Sequence, residues 1–149
     1  KSLGRKNPQI WRYLESYGKS GRIFYLIKRP SWQGLIVAKL NDEILTGDPV
    51  LREMVQRLVD CLQPEQIYLF GSRARYEANP ESDYDLMVIV PPTANPVYRR
   101  NQLAFRVLCG LPASKGVIVL TRQEFDQKKE VVCSLPATVL REGKILYEA

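Results

Sequence analysis

The sequence contains no histidine among its 149 residues. A Ser/His/Asp or Cys/His triad, a histidine base and a His-containing zinc site are therefore excluded for this chain. The three cysteines are far apart, form no CxxC pattern and lie among apolar residues, so we expect reduced thiols in the core of a cytoplasmic protein. They are Cys61, Cys109 and Cys133. Catalysis would have to use carboxylates, hydroxyls, Lys or Arg side chains, or a hard metal ion.

Long hydrophobic runs are also missing. The longest apolar segments, such as LMVIV at 86–90, are far too short to span a bilayer. The first residues contain no hydrophobic stretch of the kind found in signal peptides. We therefore expect a cytoplasmic protein without a membrane partner. Hydrophobic residues make up 45 % of the chain and charged residues 26 %, as in a globular protein that buries a core.

Negative charge is scarce in the first part of the chain. Residues 1–40 contain nine Lys or Arg and one acid, whereas the remaining residues carry a net charge of −2. The overall charge of +6 therefore belongs to this basic segment, which also contains six aromatic residues. Two interpretations stay open. The segment binds nucleic acid or an acidic partner, or it is a solvated face whose aromatic residues pack on the main domain.

The pattern divides the chain into a basic N-terminal appendage, residues 1–40, and a main domain, residues 41–149. Asn7-Pro8 predicts the start of a helix that ends near Gly18. Two apolar segments predict a hairpin, Arg22–Lys28 and Gly34–Leu40. This helix-plus-hairpin unit could pair with the main domain or exchange onto another subunit of a homo-oligomer.

The main domain alternates helical and strand patterns, which predicts an α+β (α/β-like) fold with one small mixed sheet flanked by helices. Four helices are predicted, over 49–62, 96–109, 122–132 and 137–142. Four strands are predicted, over 67–70, 85–90, 117–120 and 144–147. The near-continuous apolar run at 85–90 indicates a strand buried on both faces. Thr121 and Glu124 are spaced as a capping box.

One constellation of residues suggests chemistry, and it begins where the first of these strands ends. Gly71 permits backbone angles closed to other residues and lets the backbone approach a ligand closely. Ser72 adds a hydroxyl and an N–H group that can bond a phosphate oxygen. Arg73 and Arg75 can answer phosphate charge, since a guanidinium group can bind two oxygens at once. The sequence therefore predicts a phosphate-binding bend.

Two acids stand at the start of the next strand. Strand side chains alternate between faces, so Asp83 and Asp85 are expected to point the same way. Neighbouring carboxylates repel each other unless a divalent cation lies between them. Mg²⁺ prefers oxygen ligands and takes several of them from water and substrate phosphates. A Gly-Ser bend beside an Asp-x-Asp pair therefore predicts metal-assisted nucleotidyl transfer. The alternative is a structural turn in which Ser82 and Asp83 hold backbone amides.

The segments Gly71–Arg75 and Ser82–Leu86 resemble the signature of the minimal nucleotidyltransferases of the DNA polymerase beta-like superfamily. The resemblance extends over residues 42–149, including the tail LREGKILY at 140–147, and leaves out residues 1–40. It implies a nucleotidyltransferase fold that binds ATP or another nucleoside triphosphate with Mg²⁺. Carried over by position, Gly71 and Ser72 would hold the triphosphate, and Asp83 and Asp85 would bind the metal.

The resemblance also implies a partner. Proteins of this group are often antitoxins of all-helical HEPN ribonucleases, and some transfer AMP from ATP to a tyrosine of that toxin. Because this chain has no histidine, it lacks the Arg…His motif of such a ribonuclease. We therefore expect any HEPN-type toxin to be a separate polypeptide.

Two positions depart from the family pattern. Tyr76 replaces a frequent glycine, and Gly116 stands where the family usually has a third carboxylate at the start of its third strand. Glu124 and Asp126 could substitute for that carboxylate, although a capping box and a solvated helix face explain them more simply. Two functions therefore remain open: a transferase that modifies a protein hydroxyl, and a catalytically degenerate module that binds a nucleotide or a partner.

Overall fold

The computed structural model describes residues 24–28, 35–75, 77, 79 and 82–149. Strands and helices alternate through most of this part of the chain. In chain order they are β1 (Phe24–Lys28), β2 (Leu35–Leu40), α1 (Asp42–Thr46), α2 (Pro49–Leu62), β3 (Gln66–Phe70), α3 (Gly71–Ala74), β4 (Tyr84–Val90), α4 (Val97–Leu108), β5 (Lys115–Thr121), α5 (Arg122–Lys129), α6 (Leu135–Glu142) and β6 (Lys144–Glu148).

The strands form one mixed sheet in the order β1-β2-β6-β3-β4-β5. β4 and β5 run parallel, and every other neighbouring pair is antiparallel. A parallel pair needs a crossover connection, which here contains α4. The predicted α+β class with a small mixed sheet flanked by helices is confirmed.

The predicted hairpin is also present. β1 and β2 pair antiparallel over their whole length, from Phe24 opposite Lys39 to Lys28 opposite Leu35. β2 in turn pairs with β6 at the end of the same chain, where Leu40 lies opposite Tyr147. In this structure the hairpin pairs with the main domain of its own chain. Exchange onto another subunit stays a prediction. The helix predicted between Asn7 and Gly18 lies outside the described residues.

Helices cover both faces of the sheet. On one face, α2 and α4 bury their apolar sides against alternate residues of β3, β4 and β5. On the other face, α5 and α6 enclose a smaller cluster. Its members are Tyr68, Met87, Ile89, Leu120, Phe125 and Val139. β4 lies between these layers, and six of its seven residues are buried, which confirms the prediction of burial on both faces.

Two of the predicted helix starts follow from side-chain caps. The Asp48 side chain accepts a hydrogen bond of 3.0 Å from the Leu51 N–H and so begins α2. Thr121 and Glu124 form the predicted capping box at the start of α5. That helix ends at Lys129, three residues earlier than the predicted Val132.

The sequence-based predictions miss two short helices and misplace the cysteines. α1 and α3 have five and four residues, too few to show a helical period. Cys61, Cys109 and Cys133 are free thiols, but all three are exposed. The prediction that they lie in the core is therefore wrong, because each one occupies an outward position beside buried apolar neighbours or in a turn.

Among the described residues, none of the helices combines the length and apolar character needed to cross a bilayer.

Candidate functional site

Gly71 brings the end of β3 against an acidic side chain of β4. Its φ of +72° lies in the region that favours glycine. A Cβ atom at this position would lie 2.5 Å from Oδ2 of Asp85, much closer than such atoms approach each other. The bend therefore requires glycine both for its backbone angle and for the room that it leaves to the carboxylate.

Asp85 occupies the centre of this arrangement. It pairs with Phe70 of β3 on one side and with Gly116 of β5 on the other. A Cβ atom at Gly116 would lie 2.9 Å from Oδ1 of Asp85. The two carboxylate oxygens thus lie against two glycines, and larger residues at either place would fill the space that the carboxylate uses.

Asp83 lies just before β4 and is exposed. Burial of Asp85, and next the charge of Asp83, raise the pKa of the Asp85 carboxyl above its ordinary value. The charge of Asp83 thus disfavours ionisation of Asp85. A cation that both could contact would relieve this repulsion, and oxygen ligands of this kind suit Mg²⁺.

Within the part of the chain that the structure describes, the strand register places no third acid opposite Asp85. Gly116, the position at which the sequence resemblance implies a third carboxylate, lies directly opposite Asp85 across the parallel pairing of β4 and β5. Among the described residues, no group of three or more acidic or sulfur side chains could hold a metal ion. The donor set fits a metal held by two carboxylates whose other ligands are water and substrate phosphates, as Mg²⁺ accepts.

The two acids considered as substitutes have other partners. Glu124 receives hydrogen bonds of 2.6 and 2.8 Å from the Arg100 guanidinium and also caps α5 through Thr121. Asp126 pairs with Lys129 at 2.9 Å, one turn further along the same helix. These contacts agree with the simpler interpretation of Glu124 as part of a capping box and of Asp126 as a residue of a helix face.

Ser72 and the two arginines follow Gly71 in and after α3. Ser72 is half-buried, and its carbonyl oxygen accepts a hydrogen bond of 3.0 Å from the N–H of Glu77. Arg75 forms ion pairs with Glu77 at 2.8 Å and with Glu142 at 3.6 Å. The Arg73 guanidinium stacks on the ring of Tyr84, 3.8 Å from its centroid. A role of Ser72 and the arginines in nucleotide binding stays a prediction.

Sequence reasoning missed the contacts that surround Tyr84, the residue between the paired acids. Its hydroxyl donates a hydrogen bond of 2.7 Å to Oδ2 of Asp48 at the start of α2. Burial, followed by this hydrogen bond, raises the pKa of Tyr84 to about 12, so the hydroxyl keeps its proton at neutral pH. The sequence pattern predicted Asp48 only as a helix cap. No local pattern indicates its hydrogen bond to Tyr84, which lies 36 residues further along the chain.

Comparison with known proteins gives a family match across this site. The family model described as "Nucleotidyltransferase domain" matches residues 50–145, which is more than half of the chain. No curated protein shows significant similarity to the chain.

Parts of the chain also resemble several solved structures. One is a crystal structure of a toxin-antitoxin with AMP-PNP, 21 % identical, which covers 66 % of this chain and 73 % of its own at a TM-score of 0.46. Another is a protein from Sulfolobus solfataricus assigned as a nucleotidyltransferase, which is 25 % identical. The match covers 58 % of this chain and 77 % of the Sulfolobus chain at a TM-score of 0.46. A third is a mutant of the toxin-antitoxin MntA-HpeT, which is 19 % identical. The match covers 66 % of this chain and 73 % of the other chain at a TM-score of 0.47.

Proposed function

The chain belongs to the nucleotidyltransferase domain family, and from this membership we propose a Mg²⁺-dependent transferase. In this proposal it transfers a nucleotide, AMP from ATP, to a hydroxyl group of a partner protein. Asp83 and Asp85 hold the metal, while Gly71 and Ser72 hold the triphosphate. The observation that carries the proposal is the Asp85 carboxylate, which lies against Gly71 and follows Asp83 by two residues in the sequence.

Each residue has a role that follows from its position. The Gly71 backbone, free of a side chain, lets a phosphate approach the end of β3 closely. The Ser72 hydroxyl and N–H group donate to a phosphate oxygen. Mg²⁺, when bound, neutralises triphosphate charge and stabilises the charge that develops on the attacking and leaving oxygens. In the overall reaction a bond forms between the acceptor oxygen and the α-phosphorus, the bond from the α-phosphorus to the oxygen that bridges to the β-phosphorus breaks, and pyrophosphate leaves. The proton of the acceptor hydroxyl passes to solvent.

We propose further that the chain acts as the antitoxin of a toxin-antitoxin pair, with a HEPN-type toxin on a separate polypeptide as the acceptor. The support is the resemblance of residues 71–75 and 82–86 to the minimal nucleotidyltransferases. Fold membership alone does not determine the acceptor. The gene that neighbours this one in the genome therefore supplies the first partner to test.

Label transfer tests the proposed reaction. The purified chain is incubated with its co-encoded protein, Mg²⁺ and ATP labelled at the α-phosphate, and label on the partner is measured. We expect labelling that disappears when Asp83→Asn and Asp85→Asn are combined. Asp126→Asn is the matched control, because that acid already pairs with Lys129 and should leave labelling intact. Undiminished labelling by the double variant would refute the assigned metal ligands.

A second candidate function follows from Gly116. A third carboxylate commonly completes such a metal site or takes the proton from the attacking hydroxyl. Since Gly116 lies opposite Asp85, the domain could bind a metal-triphosphate complex or a partner without turnover. Mg²⁺-dependent ATP binding in calorimetry, together with no label on any co-encoded protein, would favour this binding module. The absence of both binding and transfer with every nucleoside triphosphate tested would refute the transferase and the nucleotide-binding form of the second candidate.

A further inference from the structure

Tyr84 stands between the two acids but faces the opposite side of the sheet. Side chains alternate along β4, so Tyr84 points toward α2 and α4 while Asp85 shares its face with Met87. Tyr84 is 6 % exposed and belongs to the core cluster on that face. Fixing this middle residue therefore fixes the direction in which its two neighbours project.

Two contacts hold the Tyr84 side chain from different elements. Its hydroxyl donates to Oδ2 of Asp48, whose other oxygen accepts the Leu51 N–H at 3.0 Å. The Asp48 carboxylate thereby joins the start of α2 to the start of β4. On the ring face, the Arg73 guanidinium lies 3.8 Å from the ring centroid, within the range of a cation–π interaction.

Arg73 also bonds the backbone of Ser82, the residue that precedes Asp83. Its Nε donates a hydrogen bond of 2.8 Å to the carbonyl oxygen of Ser82. The same side chain lies 4.0 Å from Asp48 at its nearest charged atoms. Arg73 thus connects the bend after β3 with both ends of the Asp83–Tyr84 segment.

The acids need such support because they repel each other. Asp83 is exposed, lies outside β4 and precedes Asp85 by only two residues, so like-charge repulsion would turn a freely moving segment away from Asp85. We propose that Asp48, Tyr84 and Arg73 form a positioning cluster that keeps Asp83 and Asp85 directed at one shared cation. The inference rests on the proposed function, and it makes Arg73 a positioning residue that acts through Tyr84 and Ser82.

The test compares two buried tyrosines that lose only their hydroxyl group. Tyr84→Phe removes the bond to Asp48, and Tyr68→Phe is the matched control, since Tyr68 is 5 % exposed and its hydroxyl bonds Gln66. Calorimetry measures the ATP affinity of each full chain in Mg²⁺ and again in EDTA. We expect Tyr84→Phe to reduce the Mg²⁺-dependent gain in affinity about three- to tenfold, the effect of one net hydrogen bond. Tyr68→Phe should leave that gain unchanged.

A second variant reaches the same contact from the other side. Asp48→Ser keeps an oxygen that can cap α2 but lacks the second oxygen that Tyr84 uses. We expect it to reduce the Mg²⁺-dependent gain as Tyr84→Phe does. The double variant should show little further loss, because both changes remove one interaction. Circular dichroism and thermal unfolding of all variants report any general loss of fold, which would lower the affinity in EDTA as well.

The outcomes separate this inference from the function on which it rests. No Mg²⁺-dependent affinity in the unmodified chain would overturn the proposed function and the positioning role with it. A normal gain in the unmodified chain and an equal gain in Tyr84→Phe would overturn only the positioning role. Equal losses in Tyr84→Phe and Tyr68→Phe would also overturn it, since the effect would then be one of general packing.

Discussion

Two glycines with positive φ differ in whether their surroundings leave room for a side chain. Gly71 has a φ of +72° and Gly110 a φ of +83°. A Cβ atom at Gly110 would meet nothing within 4 Å, whereas one at Gly71 would collide with the Asp85 carboxylate. Both positions disfavour other residues through the backbone, but only Gly71 makes room for a predicted metal ligand.

Alanine substitution at these two positions should therefore separate the two effects. We expect Gly71→Ala and Gly110→Ala each to lose about 1–2 kcal/mol of unfolding free energy, the cost of a left-handed conformation for a residue with Cβ. Gly71→Ala should in addition displace Asp85 and abolish Mg²⁺-dependent ATP binding. Chemical denaturation and calorimetry measure the two quantities. Normal ATP binding by Gly71→Ala would contradict the placement of Asp85 against this bend.

At the scale of elements, one buried arginine links α4 to the start of α5. Arg100 is 5 % exposed, and its guanidinium donates to both oxygens of Glu124. Burial of Glu124 opposes ionisation, but the hydrogen bonds from Arg100 and Thr121 outweigh it, so the pKa of Glu124 is lowered. The charged carboxylate is thus favoured in the folded state, and its contribution to stability is present above the pKa of the unfolded chain.

Glu124→Gln should therefore destabilise the protein in a pH-dependent way. At pH 7 we expect a loss of about 1–3 kcal/mol, because the buried Arg100 keeps its charge without an ionised partner. The difference from the unmodified chain should shrink as the pH falls through the lowered pKa of Glu124, where the native carboxylate also becomes neutral. Denaturation at a series of pH values measures this. Asp126→Asn, which breaks an exposed pair on the same helix, should cost under about 1 kcal/mol.

The elements themselves were largely predictable, because their apolar patterns and caps are local. Asp48 and the Thr121–Glu124 box determine where α2 and α5 begin, and the apolar run of β4 indicated burial on both faces. Contacts between distant segments were not predictable in this way. The bond of Tyr84 to Asp48 joins β4 to the start of α2, and its partners lie 36 residues apart in the sequence.

At the scale of the whole molecule, the charge and the predicted site belong to different parts of the chain. Residues 1–40 carry a net charge of +8, while the domain that contains Gly71 and Asp85 is slightly acidic. β2, which ends the basic segment, joins the common sheet through β6. The last strand of the basic segment is therefore joined to the nucleotidyltransferase domain by backbone pairing with β6.

This separation allows the two interpretations of the basic segment to be tested by charge removal. One variant changes Arg5, Lys6 and Arg12 to Gln, and a matched control changes the exposed Arg99, Arg106 and Lys128 to Gln. Both lower the net charge by three.

If residues 1–40 bind nucleic acid, affinity for a DNA duplex falls linearly with salt on logarithmic axes, with a slope of about −0.9 for each phosphate contact. The first variant should then have a shallower slope, by the contribution of up to about three phosphate contacts. The control should keep the original slope. Equal slopes in both variants, or affinity that does not respond to salt, would instead favour a solvated basic face, because a face without phosphate contacts releases no counterions.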